Sequence, residues 1–237
     1  MRRLWMSLLL VPVLAFAVPT AALASSSAPS AIAARTSVLQ LGMKGPAIKT
    51  LQRRLAALKY YPGSIDGQFG TNTLEAVWAF QEVQGLPGHD YVSSAMERAL
   101  ANPRAPKVLD RRAGANRIEV NLASEVLVLY RDNKVQLISH VSSGGGYYFC
   151  SPGGGCGYAI TPAGNFKTIV YLPGWVQVPL GEMYNPVFFI GTAYAIHGDT
   201  DVPLVPVSHG CVRIPMDVAA FFHTLVHIPG EPVIVRR

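Results

Sequence analysis

The sequence predicts an α+β chain of two domains, a small three-helix N-terminal domain followed by a mostly β, sandwich-like domain. Three observations carry this. Apolar residues recur at helical spacing from Val38 to about Ala101. From Ile118 onward they recur at every second position instead. Half of the 237 residues are apolar and only 14% are charged, which supplies a core and excludes disorder throughout.

Residues 1–24 read as a secretory signal. Arg2 and Arg3 form a basic start, Leu8 to Val18 an apolar stretch, and Ala22-Leu23-Ala24 a small-x-small cleavage site. The alternative is an uncleaved anchor, but eleven apolar residues fall short of the ~20 needed to span a bilayer. An exported protein is expected, located in the cell wall, periplasm or extracellular space. Without Arg2 and Arg3 the formal charge falls from +6 to +4. So small and scattered an excess argues against a nucleic-acid binder. Residues 25–37 are Ser/Ala-rich and read as a flexible leader.

Residues 38–102 hold the three helices. Pro46 suits a first turn, with Ile48, Leu51, Leu55 and Leu58 on one face, and Pro62-Gly63 stops that helix. Asn72 and Glu75 are spaced like a capping box ahead of Leu74, Val77 and Trp78. A third helix starts at Ser93 or Ser94 and buries Met96 and Leu100, leaving a minimal core. Residues 103–115, with Pro103, Pro106, Arg111 and Arg112, read as an interdomain linker.

The β domain covers 116–237. Ile118, Val120 and Leu122 alternate with polar residues, as do Val126, Val128 and Tyr130, and Asp132-Asn133 turns the chain into Val135–Val141. Further strands are predicted at Phe166–Tyr171, Val187–Ile196 and Val233–Val235, and one helix at Met216–His227. Trp175, Phe188, Phe189 and Tyr194 are read as core, and His89 and His140 as surface or strand residues.

The residues that carry chemistry lie in Ile196-His197-Gly198 and Ser208-His209-Gly210-Cys211-Val212-Arg213. Three cysteines are too few for a disulfide scaffold. Cys150 and Cys156 flank Ser-Pro-Gly-Gly-Gly and can close a small disulfide loop, which leaves Cys211 free; two reduced structural thiols are the alternative. A free thiol near histidines suits nucleophilic catalysis, since an imidazole can take its proton. Gly210 allows close backbone approach, and N–H groups at Gly210 and Cys211 are candidate oxyanion donors. The bland reading is a buried structural cysteine. His223 and His227, four apart, mimic a metal pair, but no Glu follows His223 and a helix C-terminus accounts for them. No metal site is expected. Tyr147 and Tyr148, in a glycine-rich loop, are candidates for substrate contact.

Two resemblances follow from these residues. Gly42-x-x-Gly45, Leu51-Gln52-x-x-Leu55, Asp66-Gly67-x-Phe69-Gly70-x-x-Thr73 and Ala76-Val77-x-x-Phe80-Gln81 resemble the peptidoglycan-binding domain of wall hydrolases. His197-Gly198 with the Ser208–Arg213 block, Thr161-Pro162-x-Gly164-x-Phe166 and Pro229-Gly230-x-Pro232-Val233 resemble the catalytic domain of L,D-transpeptidases. That resemblance implies Cys211 as acyl-accepting nucleophile and His197 as general base. His209 would line the site or support the oxyanion, and Ser208 would shape the loop. Gly198 stands where some relatives carry a base-orienting serine, so its carbonyl would have to hold the imidazole. Arg213 would bind a substrate carboxylate or brace the Cys loop.

The implied reaction is cross-linking of peptidoglycan, with D-Ala released from a tetrapeptide stem and an amine as acceptor. An L,D-carboxypeptidase passing the acyl group to water, or a non-catalytic wall-binding protein, are the alternatives. The chemistry asks for a low-pKa thiol and needs no cofactor. A monomer acting on peptidoglycan is expected.

Overall fold

The computed structural model describes residues 38–152 and 154–237, so the expected signal segment and leader lie outside it. Three helices come first, α1 (Pro46–Ala57), α2 (Thr71–Gln84) and α3 (Ser94–Ala101). Pro46 opens α1, and Ile48, Leu51 and Leu55 form its buried face. Ser93 caps α3, its hydroxyl accepting the Met96 N–H at 3.2 Å. The capping box expected at Asn72 does not form. Gly70 is the N-cap of α2 without any side-chain cap, so Asn72 already lies within the first turn. Its amide reaches Asp217 instead, and Glu75 is buried.

The β domain follows with β1 (Arg117–Asn121), β2 (Val126–Arg131), β3 (Lys134–His140), β4 (Tyr148–Cys150), β5 (Cys156–Tyr158) and β6 (Gly164–Lys167). Then come β7 (Val170–Tyr171), β8 (Trp175–Val178), β9 (Gly181–Ile190), β10 (Tyr194–Asp199), β11 (Val212–Pro215), helix α4 (Met216–Leu225) and β12 (Pro232–Arg236). One sheet runs β3-β2-β1-β12-β6; the second runs β11-β10-β9-β7, with β8 also paired to β9. Asp132 and Asn133 turn β2 into β3 with positive φ at both positions, as a tight hairpin requires.

Two expected strands are corrected. Val187–Ile196 is not one strand: the chain reverses between Ile190 and Tyr194, so β9 and β10 are antiparallel partners. Phe166–Tyr171 is broken at Thr168, whose N–H bonds to the Glu231 carbonyl at 2.9 Å and whose hydroxyl bonds to the His227 carbonyl at 2.7 Å. Phe188 and Phe189 are core as read, whereas Trp175 is 51% exposed.

The first sheet is buried on both faces, which is why β1 and β2 carry no exposed residue despite their alternating sequence. Ile118, Val120, Leu127 and Leu129 pack against Val187, Phe189, Ile196, Val212 and Phe222 of the second sheet and α4. The opposite face, with Val126, Val128, Tyr130 and Ile138, joins Leu55, Val77, Phe80 and Met96 of the helices in a single cluster. The minimal core expected of three helices is thus completed by the β domain, and the described residues belong to one compact unit. Lys59 and Tyr60 add a further pairing along the edge of β3, the Ile138 N–H donating to the Lys59 carbonyl at 2.8 Å.

The segment read as a linker is pinned at its start and in its middle. The Gln84 side chain holds the Arg104 backbone by two hydrogen bonds, of 3.0 and 2.8 Å. The buried Glu119 carboxylate accepts the Leu109 N–H at 2.7 Å.

Candidate active site

Strands β10 and β11 are parallel neighbours in register His197↔Arg213, and Cys211 directly precedes β11. Sequence separation between the histidine and cysteine motifs therefore becomes adjacency in the sheet. Both residues line one cleft of about 550 Å³. Its walls include Phe149, Cys156 and Tyr158 of the β4–β5 hairpin and Val178–Met183 of the β8–β9 turn. Cys150 and Cys156 form a disulfide, which closes that hairpin covalently. Cys211 is the free cysteine.

His197 is 4% exposed, and its Nδ1 lies 2.9 Å from the Gly198 carbonyl oxygen. A carbonyl can only accept, so Nδ1 carries the proton and Nε2 keeps the lone pair. Desolvation dominates the electrostatics of the ring and holds its pKa below the usual imidazole value. A side chain at Gly198 has no room, because a Cβ there would stand 2.7 Å from the Ala219 Cβ and 3.1 Å from the Tyr184 ring.

The Cys211 thiol does not match the low-pKa expectation. Burial pushes its pKa up, partly offset by a hydrogen bond to the Ala195 backbone and by the Arg213 charge. Arg213 is in turn neutralised. Its guanidinium pairs with Asp199 at 3.1 Å and Asp201 at 3.5 Å, and donates to the Asp201 carbonyl at 3.1 Å. This places Arg213 as a brace between β11 and the chain leaving β10.

The turn before Cys211 is held by hydroxyls. Ser208 Oγ donates to the Cys211 carbonyl at 2.6 Å and accepts the Gly210 N–H at 3.0 Å. That N–H is therefore engaged by the hydroxyl in this structure, which leaves the Cys211 N–H as the better-placed candidate donor. Gly210 has φ of +139°, and a Cβ there would meet the Tyr194 ring at 2.7 Å. Thr161 Oγ1 donates to the Gly210 carbonyl at 2.7 Å and accepts the Gly144 N–H at 2.9 Å.

His209 lines the cleft with its ring edge-on to Phe149 and Tyr147, at 4.8 and 5.6 Å between centroids. Tyr147 donates to the Val207 carbonyl at 3.2 Å and braces the loop from outside. Tyr148 is 62% exposed beside Tyr158, and it is Tyr158 and Phe149 that line the cleft.

Several supports had no distinct sequence signal. Ser142 exchanges two backbone hydrogen bonds with Arg213, of 3.1 and 3.0 Å. Glu125, at φ +47°, binds both the N–H and the hydroxyl of Ser143. His140, read as a surface or strand residue, is fully buried. His223 stacks on Tyr171 with centroids 4.2 Å apart, and no group of three metal-ligating side chains occurs among the described residues.

The two-sheet fold with this cleft has a counterpart among known proteins. Residues 115–235 match the L,D-transpeptidase catalytic domain (YkuD), and residues 44–90 match a peptidoglycan binding domain. The chain belongs to the L,D-transpeptidase family. The crystal structure of an L,D-transpeptidase from Xylanimonas cellulosilytica is 31% identical, with a TM-score of 0.78 over 84% of this chain and 97% of that one. An L,D-transpeptidase from Stackebrandtia nassauensis is 21% identical with a TM-score of 0.48, covering 84% of this chain and 94% of that one. No curated protein matches the chain. The two matched domains imply peptidoglycan as substrate.

Proposed function

We propose that this protein is an exported peptidoglycan L,D-transpeptidase acting through a Cys211 thioester. Cys211 Sγ attacks the carbonyl carbon of the bond between an L-centre and the terminal D-Ala of a tetrapeptide stem. Its proton passes to Nε2 of His197, and the oxyanion is met by the Cys211 N–H. Collapse breaks the C–N bond, and His197 returns the proton to the departing D-Ala amine. An amine from a second stem then attacks the thioester, giving the cross-link and the free thiol. The helical domain holds the enzyme on the wall.

The observation that carries this reading is the pinned tautomer of His197 in the cleft that Cys211 lines. Burial shifts both groups toward their neutral forms, lowering the imidazole and raising the thiol, which favours proton transfer to His197 as the thiol attacks.

The test is intact mass of the mature protein after incubation with a disaccharide-tetrapeptide, alongside Cys211→Ala. An adduct of stem minus D-Ala on the wild type alone is expected, and added amine should discharge it to a cross-linked product. Discharge to water alone would make the protein an L,D-carboxypeptidase. No adduct and no released D-Ala would leave a wall-binding protein.

A further inference from the structure

His140 stands where three parts of the chain meet. It ends β3, its Nδ1 lies 2.8 Å from Glu82 Oε1 on α2, and its Nε2 lies 3.1 Å from both the Val202 and Pro203 carbonyls. Those carbonyls belong to the loop that leads from β10 to Cys211. The loop is fastened step by step along the segment that His140 begins. Val205 accepts from Ser142 Oγ at 2.8 Å, the Val207 N–H donates to the same oxygen at 3.1 Å, and the Ser208 N–H donates to the Ser143 carbonyl at 2.9 Å. A second contact comes from the helical domain, because Leu204 packs so closely on Gly88 that a Cβ there would lie 2.8 Å from it.

We propose that the Glu82–His140 pair is a positioning device through which the peptidoglycan-binding domain holds the Cys211 loop in its catalytic shape. This goes beyond wall attachment and rests on the reading of Cys211 as nucleophile. The two carbonyls can only accept, so Nε2 carries a proton, and the bond between Nδ1 and Glu82 needs one more. The pair shares one proton: burial pushes Glu82 up to about 7, and at His140 desolvation, which lowers, is outweighed by the hydrogen bond to Glu82, which raises. Glu75 of α2 and Glu125 also act on this site, and Asp217 faces Glu75. Rising pH removes the shared proton, turns a lone pair toward a carboxylate, and releases the loop.

The experiment uses the full mature chain with Glu82→Ala and Glu82→Gln. In Glu82→Ala, kcat on a soluble stem should fall on the order of tenfold, with KM and wall binding unchanged, because a displaced nucleophile costs turnover first. Iodoacetamide should alkylate Cys211 several-fold faster, since a loosened loop exposes the thiol. Glu82→Gln should restore kcat, its amide donating to the unprotonated Nδ1, and should lack the alkaline decline of the wild type. A folded Glu82→Ala with wild-type kcat and alkylation rate would overturn the proposal. Should Glu82→Ala not fold, identical alkaline limbs in the wild type and Glu82→Gln would overturn it. If the wild type forms no acyl adduct, the transpeptidase reading fails, and the alkylation rates still decide the tether.

Discussion

The imidazole of His197 is held by the residue that follows it: Nδ1 sits 2.9 Å from the carbonyl oxygen of Gly198, and the pair occupies the middle of β10. The chain thereby fixes the tautomer with its own backbone, without spending a third side chain on it. Because desolvation lowers the pKa of this ring, it stays neutral below the ordinary imidazole range. The acid limb of thioester formation should accordingly lie below about pH 6.5, the unperturbed imidazole value. Single-turnover acylation rates against pH would measure it. His197→Ala should lose at least ~100-fold on the plateau above that limb, a usual scale for removal of a general base, and the limb itself should vanish.

Ser208 connects the two peptide groups that flank the turn before the thiol. Ser208→Ala leaves the Gly210 N–H and the Cys211 carbonyl without this partner, so about 1–3 kcal/mol of stability should be lost for each group left unpaired by burial. Acylation should slow while its pH profile keeps its shape. A shifted profile would mean that the hydroxyl takes part in proton transfer.

The disulfide closes a hairpin that forms one wall of the cleft and presses Phe149 against His209. Replacing both Cys150 and Cys156 by serine frees a short loop, worth roughly 2 kcal/mol on chain-entropy grounds. The expected result is a raised KM for the stem peptide with kcat little changed, read from steady-state kinetics with and without the double substitution.

Deletion of residues 37–101 should do more than abolish wall binding. It uncovers Val126, Val128, Tyr130 and Ile138, all at or below 4% exposure in the whole chain. The truncated protein should aggregate or melt far below the full chain in a thermal scan, and lose activity on soluble stems. Retention of full activity would show that the first sheet tolerates exposure of that face.

That His197 and Cys211 belong to one candidate site was legible in the sequence because both sit in short motifs, which the parallel pairing of β10 and β11 brings together. Even the Gly198 carbonyl could be inferred, since a base on a strand has its neighbour's backbone at hand. What escaped depended on distant partners. Nothing local to His140 announces Glu82, which lies 58 residues away on a helix; the strand half of its expected placement holds, but on a buried position. The reversal at 191–193 sits in an apolar run whose Gly-Thr-Ala lacks the usual hairpin turn pairs, so period and length both suggested one strand. Asn72 had the right spacing for a cap, but the cap is two residues earlier, at Gly70, and the helix begins at Thr71. The desolvation that pushes the Cys211 thiol up comes from its surroundings in the folded chain, which no motif encodes.

The shared core has a mechanical consequence. A binding module on a slack tether would let the catalytic cleft sample a sphere of stems around its anchoring point. Here the helices and the first sheet are one packed body, and the segment joining them is clamped at Arg104 and Leu109. The spacing between anchorage and thiol is built in. On the proposed function, an enzyme seated on a glycan strand would work as a gauge, reaching the stems that fall at one fixed offset and leaving those between untouched.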